Sequence, residues 1–391
     1  MTYRIYDKDC NIFEFSAIVL SCTKNGDFYD TVLDKTAFFP NAGGQSCDTG
    51  KIGDTDVCNM RQENGTLIHV CKEPLEEGKE YFCSLNKEER LSKMRSHTSE
   101  HIISSFFAKT KGAKNVGFHL GTADTTCDFD CEITKDDITS CEDYVNAIIR
   151  ENHPVSVIFP SENQIKNINY RSKAEIDGQV RLIGIGESSE IDLCACCAPH
   201  VSTTGQIGLL RITDFYRYKG GTRIHLLSGE DALRYDRDME NGIKILSREL
   251  SSKPNSADVV SAVNRLNEEN RALKQSVLSL YQRLTDEICS KVVKGIPFVY
   301  IGNDASRDFL LRLCQKASEI SGKTCAVFAD TGAFAISGGE AQSLYSFLKE
   351  KISLRGGGKD IICGTAQAKT DEIVSAIKAV LPNVRIISDN F

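Results

Sequence analysis

The sequence has no apolar run approaching the about 18 residues that a membrane-spanning helix needs. Its N-terminus, Met1-Thr2-Tyr3-Arg4-Ile5-Tyr6-Asp7-Lys8-Asp9-Cys10, lacks the apolar stretch of a secretory signal. Together these absences predict a cytoplasmic protein. Tryptophan is absent, and no internal repeat or low-complexity tract is present. An excess of basic charge is also missing: 47 Lys+Arg against 54 Asp+Glu leave a formal net charge of −7. That balance argues against a nonspecific nucleic-acid coat. With 41% hydrophobic and 26% charged residues, disordered and collagen-like classes are excluded.

Cysteine, by contrast, is abundant, with 16 in 391 residues. In a cytosolic chain these are expected as reduced thiols. Thirteen are scattered and read as small buried hydrophobes. Only Cys194, Cys196 and Cys197 cluster, just ahead of His200.

At roughly 100–200 residues per domain the length implies more than one core. Residues 1–90 alternate short apolar, β-branched runs with Gly, Asn and Asp turns, which predicts a small β-barrel or sandwich. Within it, Phe38-Phe39-Pro40-Asn41-Ala42-Gly43-Gly44-Gln45 carries two glycines that let a ligand or another backbone approach closely. Residues 91–228 read as an α+β core. Its first helix begins near Lys87, capped by Asn86 and led by Glu88 and Glu89. A strand pair over 117–130 and a helix from Asp136 to Asn152 follow. Residues 229–294 form a helical connector broken at Lys253-Pro254-Asn255-Ser256. Its second part holds a heptad: Val263, Asn270, Val277 and Leu284 on one register, Val259, Leu266, Leu273 and Leu280 on the other. A coiled-coil homodimer and a helical hairpin packing on its own domain both satisfy that seam. Residues 295–391 alternate strand and helix as a C-terminal α/β domain.

His97 and His101 stand at i and i+4, so both imidazoles leave one helical face. In Cys196-Cys197-Ala198-Pro199-His200 a thiolate and an imidazole are again four residues apart, here in a loop. Three nitrogens and one sulfur make a tetrahedral set suited to Zn²⁺. The alternative is that the three clustered cysteines are core thiols and His200 a satisfied surface residue.

These segments resemble a known family. Phe38 to Gly50 is similar to the glycine-rich motif of the alanyl-tRNA synthetase editing domain. Arg95-Ser96-His97-Thr98-Ser99-Glu100-His101 resembles its first zinc motif, with the Arg one place nearer the first His. Cys196 to Gly208 resembles its second, with Cys197-Ala198-Pro199 in place of Gly-Gly-Thr. Gly117-Phe118-His119-Leu120-Gly121 resembles a pocket segment of the free-standing AlaX members. Arg355-Gly356-Gly357-Gly358-Lys359-Asp360 is similar to the glycine-rich stretch of the DHH-associated domain. The resemblance covers almost the whole chain and matches the long AlaX type.

What it implies is a trans-acting, zinc-dependent hydrolase that removes serine or glycine from mischarged tRNA(Ala). A start of the editing module near residue 1 leaves no room upstream for a synthetase core. His97, His101, Cys196 and His200 are then the zinc ligands, with Cys194 or Cys197 as competitors of Cys196. Gln45, Gly43 and Gly44 are candidates to hold substrate or water, and Thr98 and His119 are candidates for pocket or supporting roles. Pro199 stiffens the loop and removes a donor. For an acidic chain, tRNA contact must be local, and affinity must fall with salt. Arg211, Arg217, Lys219 and Arg223 are one candidate basic group, and Lys349, Lys351, Arg355 and Lys359 another. A solvated charged face is the alternative for each. Other function classes are a threonyl-type deacylase, sharing the His-x-x-x-His and Cys-x-x-x-His frame, and a noncatalytic tRNA-binding or dimerisation protein with a structural zinc. A DHH phosphodiesterase is disfavoured because no Asp-His-His motif is present.

Overall fold

The structure, a computed structural model, describes residues 2–121, 125–172, 180–302 and 306–388. The chain divides into two units, residues 1–245 and 246–391. The organisation is mixed α+β, as composition and patterning predict.

Period-two patterning builds the first sheet. Along Glu14–Asn25 (β1), Ala17 and Val19 are buried while Ile18 and Leu20 face out. Five further strands follow: Phe28–Leu33 (β2), Gly50–Ile52 (β3), Thr55–Glu63 (β4), Thr66–Cys71 (β5) and Glu80–Leu85 (β6). They close in the order β1-β2-β5-β4-β3-β6, with every pairing antiparallel. Closure removes the sheet edges. The barrel fills with Val19, Leu33, Phe38, Ile52, Met60 and Cys83.

The helix Lys87–Lys111 (α1) starts where the Asn86 side chain accepts the Glu89 N–H at 3.3 Å. Glu88 and Glu89 oppose the helix dipole at this end, and Gly112 ends the helix at φ +64°. Its middle is unusual in being both buried and polar: Ser96 to His101 are all buried, as are Ser104 and Ser105. Burying that many polar groups is costly unless each is partnered. It therefore marks where the chain places chemistry rather than packing.

Around α1 lie Asn115–Leu120 (β7), Thr125–Phe129 (β8), Lys135–Glu151 (α2), Val155–Ile158 (β9), Leu182–Ile185 (β10), Asp192–Ala195 (β11), Leu210–Tyr218 (β12) and Gly221–Ser228 (β13). They form two antiparallel sheets, β12-β13-β8-β7 and β9-β10-β11. Residues 122–124, within the expected 117–130 strand pair, lie outside the described residues. The core here is Met94, Ile102, Ile103, Phe107, Phe129 and Leu226 with the inner face of α2.

Glu230–Glu249 (α3) carries the chain to the second unit, which opens with Ser256–Ser290 (α4). On α4, Val259, Ala262, Ile288 and Cys289 are buried, whereas Val263, Leu266, Leu273, Val277, Leu280 and Leu284 are exposed. The remaining elements are Phe298–Gly302 (β14), Arg307–Ser321 (α5), Cys325–Ala329 (β15), Ala333–Ser337 (β16), Ala341–Lys351 (α6), Ser353–Gly357 (β17), Ile361–Gln367 (β18), Thr370–Val380 (α7) and Arg385–Ser388 (β19). Their sheet runs β17-β18-β16-β15-β14-β19, with β14 parallel to both β15 and β19. Of the glycine stretch read as a motif from the sequence, Arg355 to Gly357 lie in edge strand β17, and Gly358 to Asp360 follow it. Gly356 pairs with Gly364 there, and a Cβ at either would strike the other strand's backbone.

Candidate metal centre

Helix α1 brings His97 and His101 to one face, with ring centroids 5.4 Å apart. The loop after β11 brings Cys196 and His200 against them, His200 lying 4.7 Å from His97 and 4.6 Å from His101 between centroids. One donor atom from each of the four falls within 4.8 Å of the others, so the group has the size of a metal site. Cys196 Sγ lies 3.6 Å from His97 Nε2 and 3.4 Å from His200 Nε2. Cys197 is exposed, and Cys194 belongs to a different group with His101 and Asp192.

The partners of the imidazoles fix their tautomers. His97 Nδ1–H donates to Gln45 Oε1 at 2.9 Å, and His101 Nδ1–H donates to Asp192 Oδ2 at 3.1 Å. Thr98 Oγ1 spends its proton on the Met94 carbonyl at 2.8 Å. It can therefore only accept from His200 Nδ1, 3.1 Å away. All three rings thus carry the proton on Nδ1 and turn an unprotonated Nε2 toward the cluster, which is the form that ligates. Burial, with Cys197 adding to it, pushes the Cys196 thiol well above its ordinary range. A thiolate at that position needs a bound cation. Burial pushes the Asp192 carboxyl up, but hydrogen bonds from His101 and Arg171 outweigh this and hold it below the usual carboxylate range. The donor set fits a metal ion of borderline softness.

The glycine motif forms the adjoining wall. The Leu120 N–H donates to the Gly44 carbonyl at 2.8 Å, and the Ser46 N–H to the Leu120 carbonyl at 3.2 Å, docking the loop on β7. Gly44 sits at φ +81°, where a Cβ would lie 2.5 Å from the Phe118 carbonyl oxygen. Only glycine satisfies both conditions. The Gly44→Ala variant is expected to displace the loop and slow turnover about 100-fold while folding normally. Gly43→Ala, whose Cβ would be 3.6 Å from Cys197 Sγ, is expected to cost far less. Equal rates for the two would refute the docking argument. Gln45 is buried, and its Nε2 has no partner among the described residues. A cleft of about 800 Å³ opens here between Gly43, Gly44, Asn115, Phe118 and Arg171.

Other sequence candidates are placed differently. His119 is exposed on β7, while its neighbour Phe118 packs on His97 at 4.7 Å between centroids. Thr98 lies behind His200 rather than beside the cleft. Arg211 is held by Glu142 at 2.5 Å and Asp236 at 3.0 Å. Arg223 is paired with Asp128 at 2.6 and 2.7 Å and stacked on Tyr218 at 3.8 Å. Arg217, Lys219, Lys349, Lys351, Arg355 and Lys359 are exposed. Asp192 and Arg171 carry no signal of their own in the sequence: the Asp192 carboxylate meets the His101 ring from 91 positions away, and the Arg171 guanidinium meets the His101 carbonyl from 70 positions away.

Residues 180–229 match the family model described as the threonyl and alanyl tRNA synthetase second additional domain. The alanyl-tRNA editing protein Aarsd1 of Danio rerio is 26% identical over 94% of this chain and 93% of its own length. The alanyl-tRNA editing protein AlaX-L of Pyrococcus horikoshii is 26% identical over 95% and 96%. An alanine–tRNA ligase of Wolbachia pipientis wMel is 30% identical over 72% of this chain, which spans only 33% of that protein. Among the described residues, no helix is long and apolar enough to cross a membrane.

Proposed function

We propose that this chain, a homologue of the AlaX-type alanyl-tRNA editing proteins, is an aminoacyl-tRNA ester hydrolase. It acts in trans on tRNA(Ala) mischarged with serine or glycine, and it depends on Zn²⁺ held by His97, His101, Cys196 and His200. The observation that carries the reading is the convergence of three inward Nε2 atoms and one thiol beside a glycine-lined cleft.

When bound, Zn²⁺ would act as a Lewis acid, either lowering the pKa of a water or coordinating the substrate amino group so as to place the ester. The chain's own residues do the rest. Gln45 orients His97 through Oε1 and offers its spare Nε2–H to the ester carbonyl. The Gly43–Gly44 backbone shapes the wall against which the aminoacyl group lies. Phe118 covers the His97 ring and narrows access to water. Aminoacyl esters are already labile, so modest positioning is sufficient. The exposed Arg217, Lys219, Lys349, Lys351, Arg355 and Lys359 are assigned to the tRNA backbone. Arg211 and Arg223 are left to their internal carboxylates.

Purified protein is expected to release serine and glycine from mischarged tRNA(Ala) and to spare correctly charged alanyl-tRNA. No release above the spontaneous rate by zinc-loaded protein would refute the hydrolase reading. The exposed heptad stripe of α4 is further proposed as the seam of a homodimer. Light scattering is expected to give twice the 43.2 kDa chain mass. A monomer at every concentration would exclude the dimer.

A further inference from the structure

We propose that Arg171 is a positioning residue that decides which of two overlapping donor sets takes the metal ion. His101 belongs to both sets. One is the cluster with His97, Cys196 and His200, and the other is a buried group of His101, Asp192 and Cys194 whose donor atoms also lie within 4.8 Å of one another. An imidazole, a carboxylate and a thiol form a competent metal-binding trio. It offers three donors to the first set's four, each of a type that binds the same ions.

What separates the two sets is the guanidinium of Arg171. Its Nε donates to Asp192 Oδ1 at 2.7 Å and its Nη2 to Asp192 Oδ2 at 2.8 Å. Both carboxylate oxygens are thereby engaged in a planar fork. A fixed positive charge beside Asp192 also opposes a cation there. The same fork holds Asp192 Oδ2 in place to accept the His101 Nδ1 proton at 3.1 Å, which turns Nε2 toward the first cluster. Arg171 Nη2 also reaches the His101 carbonyl at 3.3 Å, tying the fork to the helix that carries the ligand. A single side chain thus favours one set and closes the other. Without it, both Asp192 oxygens lose the guanidinium, the charge that opposes a cation beside Asp192 and Cys194 is gone, and the carboxylate that orients His101 is less firmly placed.

The inference rests on the metal-centre reading and not on hydrolysis, so it is tested with Co²⁺ alone as the probe on the full chain. The readout is the near-ultraviolet thiolate-to-cobalt absorption, which reports a sulfur ligand. Wild type is expected to show the band, and Cys196→Ser to lose it. In Arg171→Met with Cys196→Ser the band is expected to return, now from Cys194, and Cys194→Ser added to that pair is expected to abolish it. Arg171→Lys with Cys196→Ser keeps the charge and is expected to stay dark. Arg171→Gln with Cys196→Ser serves as a second neutral variant, with circular dichroism confirming that each protein is folded. Arg171→Met alone is expected to weaken Co²⁺ binding about 10–100-fold. No band in either neutral variant would overturn the proposal, as would a band in Cys196→Ser with Arg171 intact. Failure of wild type to bind Co²⁺ would instead sink the metal-centre reading itself.

Discussion

The variant carrying His97→Ala and His101→Ala is expected to take up no metal and to release serine from seryl-tRNA(Ala) only at the spontaneous rate. Two of four donors are lost at once, and the two that remain lie in a loop rather than on a rigid helix. Structural zinc sites gain about 10–16 kcal/mol from a full ligand set, so half a set falls below useful affinity. The loss extends past the ligands. Gln45 Oε1 and Asp192 Oδ2 each lose the ring N–H they accept. Asp192 Oδ2 still accepts from Arg171 Nη2, but Gln45 Oε1 is left buried and unpartnered, at a cost of about 1–3 kcal/mol. Each single alanine variant is expected to keep a weakened site, so the pair decides the matter. Metal content by atomic emission and acid-quenched release of labelled serine are the two measurements. Retained metal with release above the spontaneous rate would sink the assignment of these ligands.

Part of this site is legible in the sequence and part is not, and the boundary has a physical cause. His97 with His101, and Cys196 with His200, stand out because each pair is local: one helical turn in the first case, one short loop in the second. The supporting residues are set by tertiary approach. Asp192 becomes the partner of His101 only once β11 lies against α1. Phe118 and His119 differ by one place in a strand, and one place decides the face. Composition favours the histidine as the functional residue, but the register gives the contact to the phenylalanine. Basic residues pose a similar problem. Arg211 and Arg223 look like free cations in a list of residues, yet strand pairing brings Asp128 opposite Arg223 and helix packing brings Glu142 to Arg211. The fold reads better. Alternation, turns and caps are local signals, and they recover the helices α1 and α2 to within a few residues. The glycines of β17 are the exception: they read as a family motif, and the structure makes Gly356 and Gly357 part of an edge strand whose backbone meets its neighbour's.

Replacing Arg90 by methionine is expected to destabilise the first unit by about 3–5 kcal/mol, the range found when one partner of a buried ion pair is removed. The side chain of Arg90 is fully buried and that of Asp48 nearly so. Arg90 Nε lies 3.0 Å from both Asp48 oxygens, its Nη2 contacts Asp48 and the Ala37 carbonyl, and its Nη1 donates to the Cys10 carbonyl at 3.3 Å. Asp48 Oδ2 in turn accepts the Phe39 N–H at 2.6 Å. The guanidinium therefore joins three chain segments to the start of α1. Two of them, at Ala37–Phe39 and at Asp48, are the two ends of the glycine loop. His97 lies seven residues further along the same helix, about 10 Å away. The pair consequently holds the loop that carries Gly43, Gly44 and Gln45 in register with the helix that carries His97 and His101. With methionine at position 90, the Asp48 carboxylate and two carbonyls remain buried without their donor. The double variant Arg90→Met with Asp48→Leu removes the stranded charge and is expected to regain part of the loss, which separates charge from packing. Its loop ends are no longer tied, so turnover is expected to stay low even where stability returns. Urea midpoints for wild type and the two variants, with slopes unchanged, provide the measurement. An Arg90→Met protein within about 1 kcal/mol of wild type would mean that the loop is held by the Gly44–Leu120 and Ser46–Leu120 backbone bonds alone.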